Sequence, residues 1–188
     1  MRIISGKFKG KKILQPKDIK TRPLKDLTKE SIFNIINHSN KLKIHLGTAN
    51  ILDMFSGIGS FGLECLSRGA KKVIFIENYK EALAILKKNL INLDMIKNYE
   101  IIEKNAYEIN TLKKLKEKLD IIFLDPPYKD NNIKSLLDNI FKENILNTDG
   151  IIILHRHKNA KDVMPFNFKI LEEKRYGVSK IIFLHNSN

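Results

Sequence analysis

Cysteine is all but missing from this chain. Cys65 stands alone, so no intrachain disulfide can form and no cysteine-based metal site can assemble. Its neighbours Leu63, Glu64 and Leu66 read as helical, and a lone thiol in that setting is expected to be a small core hydrophobe. Long apolar runs are missing too: the longest, such as Ile121-Ile122-Phe123-Leu124, are far too short to cross a bilayer. The opening Met1-Arg2-Ile3-Ile4-Ser5-Gly6 turns basic without the apolar stretch of a secretory signal. Internal repeats and low-complexity segments are absent. A soluble chain of the cytoplasm is expected, with no membrane contact. Its 188 residues suit one compact domain with a short appendage, and 43% hydrophobic residues suffice for a sizeable core.

Acid is scarce where base is dense. The formal net charge is +13, and residues 1–29 hold Arg2, Lys7, Lys9, Lys11, Lys12, Lys17, Lys20, Arg22, Lys25 and Lys29 against only Asp18 and Asp26. Part of the excess is consistent with a general Lys, Ile and Asn bias. Its concentration in one segment favours a polyanionic partner through counterion release, hence a nucleic acid, although charge does not separate RNA from DNA. A third ligand is lacking beside His155 and His157, which flank Arg156, so a solvated strand end is expected there and no metal site.

The alternation of apolar and polar residues predicts the architecture. Residues 2–5 and 11–14 read as two short strands around the basic turn Gly6-Lys7-Phe8-Lys9-Gly10. Pro23 suits the first position of a helix carrying Leu24, Leu27, Phe33 and Ile36, which frays at His38-Ser39-Asn40-Lys41. From Asn50 onward strands and helices alternate: strands at 51–55, 73–76, 100–102, 121–124 and 151–154, with helices between them. One of these helices has Ala82, Ile85, Leu86 and Leu90 on a single face, another is Lys-rich over 107–119, and a third covers roughly 133–141. Strands at 168–171 and 181–184 follow consecutively. The expected fold is therefore α/β, a Rossmann-like, doubly wound, seven-stranded and mostly parallel sheet with one antiparallel element at its end. An N-terminal hairpin-and-helix extension at 1–48 precedes the main domain at 49–188. Ligands of such sheets bind beyond the C-terminal ends of the strands, where strand order reverses.

The informative residues fall at those ends. Gly57, Gly59 and Gly62 form a G-x-G-x-x-G loop after the first main strand, where glycine lets backbone approach a ligand. Glu77 follows Gly57 by twenty positions, at the tip of the next strand, where an acid can accept both ribose hydroxyls of an adenosine. Asp53 precedes the loop and can meet a positively charged ligand group. A nicotinamide enzyme and an S-adenosylmethionine enzyme fit these features equally. Asp125-Pro126-Pro127-Tyr128 at the end of the fourth strand separates them. An exocyclic base amine is a poor nucleophile because its lone pair is delocalised into the ring. Two N–H acceptors, the Asp125 carboxylate and the Pro126 carbonyl, can turn it toward tetrahedral geometry. Pro127 stiffens the backbone, and Tyr128 can stack on the base.

These residues resemble the RsmD family, the bacterial 16S rRNA (guanine-966-N2)-methyltransferases. The likeness runs from Met1-Arg2-Ile3-Ile4-Ser5-Gly6 and Gly10 through Thr21-Arg22-Pro23 and Lys29-Glu30-Ser31-Ile32-Phe33-Asn34. It continues over 53–62 and Leu66-Ser67-Arg68-Gly69-Ala70 to Asp125-Pro126-Pro127-Tyr128. The N-terminal block and Leu66–Ala70 are its more specific parts. The resemblance implies a class I S-adenosylmethionine-dependent methyltransferase. Gly57, Gly59 and Phe55 would cradle the methionine part of the cofactor, with Asp53 near its amino group. Glu77 and Asn78 would lie at the ribose, Asn105 and Ala106 at the adenine, and Arg22 and Glu30 against the pocket. Arg2, Lys7, Lys9, Lys11 and Lys12 would dock 16S rRNA of the small ribosomal subunit or its assembly intermediate, with the protein acting as a monomer. Leu24-Lys25 departs from the family's Thr-Thr, and Asn105-Ala106 stands where this fold often places an acid. An N6-adenine methyltransferase on RNA or DNA and a non-catalytic RNA-binding assembly factor remain as rival readings. Against the first stands the lack of room for a separate target-recognition domain.

Overall fold

A computed structural model describes residues 1–16, 24–93, 98–127 and 129–187. Its central sheet comprises β1 (Asn50–Met54), β2 (Lys72–Ile76), β3 (Tyr99–Ile102), β4 (Leu119–Leu124), β5 (Leu146–His157), β6 (Phe168–Tyr176) and β7 (Ser179–Asn186). The strand order is β3-β2-β1-β4-β5-β7-β6. The first five strands run parallel, and β7 inserts antiparallel between β5 and β6. Strand order reverses between β1 and β4, so the ends of those two strands flank the crevice where ligands bind in open α/β sheets.

Successive side chains on a strand face opposite sides, and two cores result. Ile51, Phe75, Phe123, Ile153 and Phe183 point to one face. There they meet α1 (Asp26–His38), α2 (Ser60–Ser67) and α3 (Lys80–Asn92). Leu52, Ile74, Ile122, Leu154 and Leu184 point to the other face, against α4 (Ile109–Leu112) and α5 (Ile133–Lys142). Cys65 is fully buried in the first core, as expected. Among the described residues no helix is long and apolar enough to cross a membrane.

Several boundaries differ from the sequence expectation. The Lys-rich helix predicted over 107–119 shrinks to α4, four residues long. Beyond Leu112 the run Lys113, Lys114, Lys116 and Lys118 sets like charges three and four apart, and only Leu115 offers an apolar anchor. The helix α1 starts at Asp26, and Pro23 lies outside the described residues. Leu27, predicted on its buried face, is 68% exposed. The true stripe is Lys29, Ile32, Phe33 and Ile36, with a lysine in the first position. The strand predicted over 51–55 ends at Met54, because Phe55 turns into the left-handed region with φ +60°.

The N-terminal ribbon makes one bridge, Arg2 to Lys12, rather than two regular strands. Besides bonds within itself, the ribbon is held by α1, α2 and α3. The buried carboxylate of Glu64 accepts the amides of Ile4 (2.8 Å) and Ser5 (2.9 Å) and the Arg68 Nε–H (2.8 Å). It also faces the Lys29 ammonium at 3.6 Å, both side chains being fully buried. Lys29 Nζ donates to the Arg2 carbonyl, and burial lowers its pKa against the opposing pull of Glu64 and Asp26. Lower down, the Lys7 and Phe8 amides bond Ser67, whose hydroxyl donates to the Ser5 carbonyl. Gly6 is needed here: a Cβ on it would lie 1.9 Å from the Ser67 carbonyl oxygen.

Candidate active site

One rung of the sheet aligns Met54, Leu124 and Leu154 across β1, β4 and β5. The next residues along, Phe55, Asp125 and His155, therefore lie at neighbouring strand ends. Phe55 is half-buried and packs its ring against Tyr107 at 5.2 Å. A left-handed backbone at a bulky aromatic stores strain, the kind that persists where surroundings over-determine it. The chain then passes through Gly57 (φ +54°) and Gly59 (φ +85°) into α2. At Gly59 a Cβ would come within 2.4 Å of Leu86, so the loop lies flat on α3 and leaves the crevice side open to a ligand.

A cavity of about 170 Å³ opens beside this loop, lined by Phe55, Ile76, Glu77, Asn78, Lys104, Asn105, Ala106, Tyr107, Pro127 and Asp130. Five of the residues predicted to bind cofactor are among them: Phe55, Glu77, Asn78, Asn105 and Ala106. The wall suits a nucleoside, with Phe55, Ile76 and Ala106 offering apolar surface and Glu77 a carboxylate at its rim. Glu77 is itself held by backbone: Oε2 accepts from Gly57 (2.7 Å), and Oε1 accepts from Asn78 (2.8 Å) and Tyr79 (2.7 Å). Three of its roughly four lone-pair directions are thus used, leaving capacity for one ribose hydroxyl without rearrangement rather than two.

Asp53 is buried at the end of β1, where it accepts the Gly62 amide at 2.9 Å. Burial drives its pKa well above the ordinary carboxylate value, and the charges of Asp125 and Glu77 push the same way. In a chain of net charge +13, Glu77 and Asp130 on the cavity wall, with Asp125 at the neighbouring strand end, outnumber Lys104 and make the crevice locally acidic. That is the electrostatic complement of a cationic ligand such as a sulfonium amino acid.

Asp125 follows β4 with its side chain 20% exposed. Its Oδ1 pairs with His155 Nδ1 at 2.8 Å, while His155 Nε2 meets the Ser179 hydroxyl at 2.9 Å. The solvated strand end expected at 155–157 is thus wrong for its first two residues: His155 and Arg156 are 5% and 2% exposed. Arg156 grips the Asp162 carboxylate through Nε and donates to the carbonyls of Pro127 (3.0 Å) and Asp130 (2.5 Å). It therefore clamps both ends of the turn that follows Asp125. Tyr107 donates to Asp130, and burial followed by that bond keeps its phenol protonated far above the usual range. Pro126 is buried, and among the described residues none donates to its carbonyl. Sequence reasoning missed His155, Arg156, Tyr107 and Asp130. The available signal was position: His155 and Arg156 end a strand beside the one carrying Asp125.

Other predicted residues lie apart. Glu30 is exposed on α1 and does not line the cavity. Arg22 and Tyr128 lie outside the described residues. Arg2, Lys7, Lys9, Lys11 and Lys12 are all exposed on the ribbon, where Lys7 and Lys11 flank the Phe8 ring at 5.3 and 5.0 Å. Among the described residues no group of three metal-binding side chains gathers.

A sheet of this order, with a glycine loop after β1, an acid after β2 and Asp-Pro-Pro after β4, defines a Rossmann-like S-adenosylmethionine-dependent methyltransferase. The SAH-bound methyltransferase PaMTH1 of Podospora anserina has the same fold, with a TM-score of 0.60 over 74% of this chain and 72% of that one, at 16% identity. The model of the family described as Conserved hypothetical protein 95 matches residues 1–185, and the chain belongs to that family, which includes RsmD. "Ribosomal RNA small subunit methyltransferase D" of Buchnera aphidicola subsp. Baizongia pistaciae is 35% identical over 177 residues, 93% of this chain and 86% of that protein. The solved yhhF protein of Escherichia coli superposes with a TM-score of 0.83 at 25% identity, over 100% of this chain and 98% of that one.

Proposed function

We propose that this protein transfers a methyl group from S-adenosylmethionine to the exocyclic N2 of a guanine in 16S rRNA, the family target being guanine 966, within the small ribosomal subunit or its assembly intermediate. The observation that carries the reading is Asp125 at the strand-order reversal, one oxygen tied to His155 and the side chain still 20% exposed. S-adenosylmethionine supplies an electrophilic methyl on a sulfonium centre. The glycine loop with Gly57 and Gly59 holds its amino-acid end with Asp53 near the amino group, and the carboxylates of Glu77 and Asp125 attract the ammonium and sulfonium charges. Glu77 and Asn78 take the ribose, while Asn105 and Ala106 take the adenine.

Asp125 Oδ2 and the Pro126 carbonyl accept the two N–H bonds of the guanine amine. The amine lone pair then turns out of the ring plane toward the methyl carbon. Pro127 fixes the direction of the Pro126 carbonyl, Arg156 holds the turn from behind, and Tyr128 stacks on the extruded base. After transfer the amine releases its proton to Asp125 or to water. Holding donor and acceptor in line supplies much of the acceleration. The exposed lysines of the ribbon dock the rRNA backbone, so residues 1–48 act as the RNA-anchoring part and 49–188 as the catalytic part.

The deciding experiment incubates the protein with tritiated S-adenosylmethionine and unmethylated small subunits and maps the labelled nucleotide. A guanine labelled on N2 supports the proposal; an adenine label overturns it. Asp125→Ala should abolish transfer while cofactor binding by calorimetry survives, and equal loss of both would remove Asp125 from the chemistry.

A further inference from the structure

We infer that His155, fixed in turn by Ser179, is a positioning residue that holds Asp125 in the orientation its chemistry requires. The inference rests on the proposed role of Asp125. A carboxylate only accepts hydrogen bonds, so His155 Nδ1 is the donor in its 2.8 Å contact with Asp125 Oδ1. With the ring neutral, Nε2 carries the lone pair and accepts from the Ser179 hydroxyl, 2.9 Å away. The carboxylate therefore selects the tautomer, and the serine hydroxyl satisfies the other ring nitrogen and holds the ring in place. The three groups come from separate parts of the sheet: Asp125 follows β4, His155 lies on β5 opposite Ile181 of β7, and Ser179 opens β7. The antiparallel insertion of β7 beside β5 is what brings the hydroxyl there.

Burial adds to the case. The His155 side chain is 6% exposed, whereas that of Asp125 is 20% exposed. The imidazole thus sits behind the carboxylate and the carboxylate faces outward. Occupying Oδ1 leaves Oδ2 as the acceptor for the substrate amine in the proposed reaction. Without that bond Asp125 can rotate, and a misplaced acceptor of about 1 Å lowers rates by up to about 100-fold.

The test compares His155→Leu, His155→Asn, Ser179→Ala and Ser179→Thr in methyl transfer to small subunits, with cofactor affinity measured by calorimetry. His155→Leu should lower kcat about 10- to 100-fold with cofactor Kd within about twofold of the parent. His155→Asn, which restores an N–H donor at the Nδ1 position, should recover most of the loss. Ser179→Ala should fall about 3- to 10-fold and Ser179→Thr should match the parent. If His155→Leu does not fold, the Asn, Ala and Thr variants carry the comparison. Full kcat in His155→Leu, or no advantage of Asn over Leu, would overturn the inference; where the Leu variant does not fold, full kcat in Ser179→Ala would overturn it. Asp125→Ala, run alongside, separates the two ideas. Activity in that variant would sink the reading of Asp125 itself, whereas an inactive Asp125→Ala beside a fully active His155→Leu would sink only the role of His155.

Discussion

Gly6→Ala tests the joint between the N-terminal ribbon and α2. A Cβ at this position would lie 1.9 Å from the Ser67 carbonyl oxygen, 2.3 Å from its carbon and 2.8 Å from the Arg68 nitrogen. All three are main-chain atoms of the helix end, which cannot swing aside as a side-chain tip can. Gly6 also has φ +83°, a left-handed conformation that costs an L-residue about 1 kcal/mol. Relieving the clash requires the turn to lift from the helix. With it go the bonds from Lys7 N to Ser67 O (2.8 Å), from Phe8 N to Ser67 Oγ (3.0 Å) and from Ser67 Oγ to Ser5 O (2.6 Å). At about 1 kcal/mol for each bond, plus the backbone strain, the substitution should cost about 4 kcal/mol. In a chain of this size that lowers Tm by roughly 8–16 °C. Calorimetry gives the Tm, and trypsin reports lifting of the turn through faster cleavage at Lys7, Lys9 and Lys11. An unchanged Tm with an unchanged cleavage pattern would refute the reasoning, because the chain would then have absorbed a backbone overlap without moving.

Asp53→Asn should raise thermal stability at neutral pH and weaken the cofactor. Burial lifts the Asp53 pKa above the unfolded value of 3.8. The folded protein therefore holds the proton more tightly than the unfolded chain, and stability falls as pH rises through that window. The asparagine variant should lose that slope in a pH series of Tm values, while calorimetry shows about tenfold weaker binding, the order of one hydrogen bond to a charged group. Arg156→Met strands the Asp162 carboxylate and two carbonyls, which should destabilise by about 3–5 kcal/mol; a normal denaturant midpoint would contradict this. Replacing Lys7, Lys9, Lys11 and Lys12 by Gln should flatten the salt dependence of small-subunit binding, and an unchanged slope would take the ribbon out of the docking surface.

What could be read from the sequence was local. The glycine loop and the Asp-Pro-Pro turn are contiguous, spacing and the strand-end rule point to Glu77, and the family resemblance adds Asn78, Asn105 and Ala106; all four line the cleft. What stayed hidden depends on residues far apart in the chain. His155 meets a serine 24 positions later, and only after β7 has threaded between β5 and β6. Arg156 looked like a solvated charge because its partners, Pro127, Asp130 and Asp162, come from two other loops. Lys29 and Glu64 are polar residues in core positions, made tolerable by each other and by ribbon amides that no helical period announces. The helix expected over 107–119 failed for a local reason: beyond Leu112 its lysines set like charges three and four apart, and only Leu115 packs against the core.

The single helix α2 joins two territories of this molecule. At its first residue, Ser60 reaches the Met1 sulfur beside the glycine loop; at its last, Ser67 fastens the basic turn. Eight residues of helix span about 12 Å, and the ribbon runs along them without slack. Under the proposed mode of docking, that length acts as a ruler. The phosphates held by the turn and the base offered to Asp125 must be separated by an interval that one rigid rod has already chosen, so target selection becomes a matter of geometry as much as of base recognition.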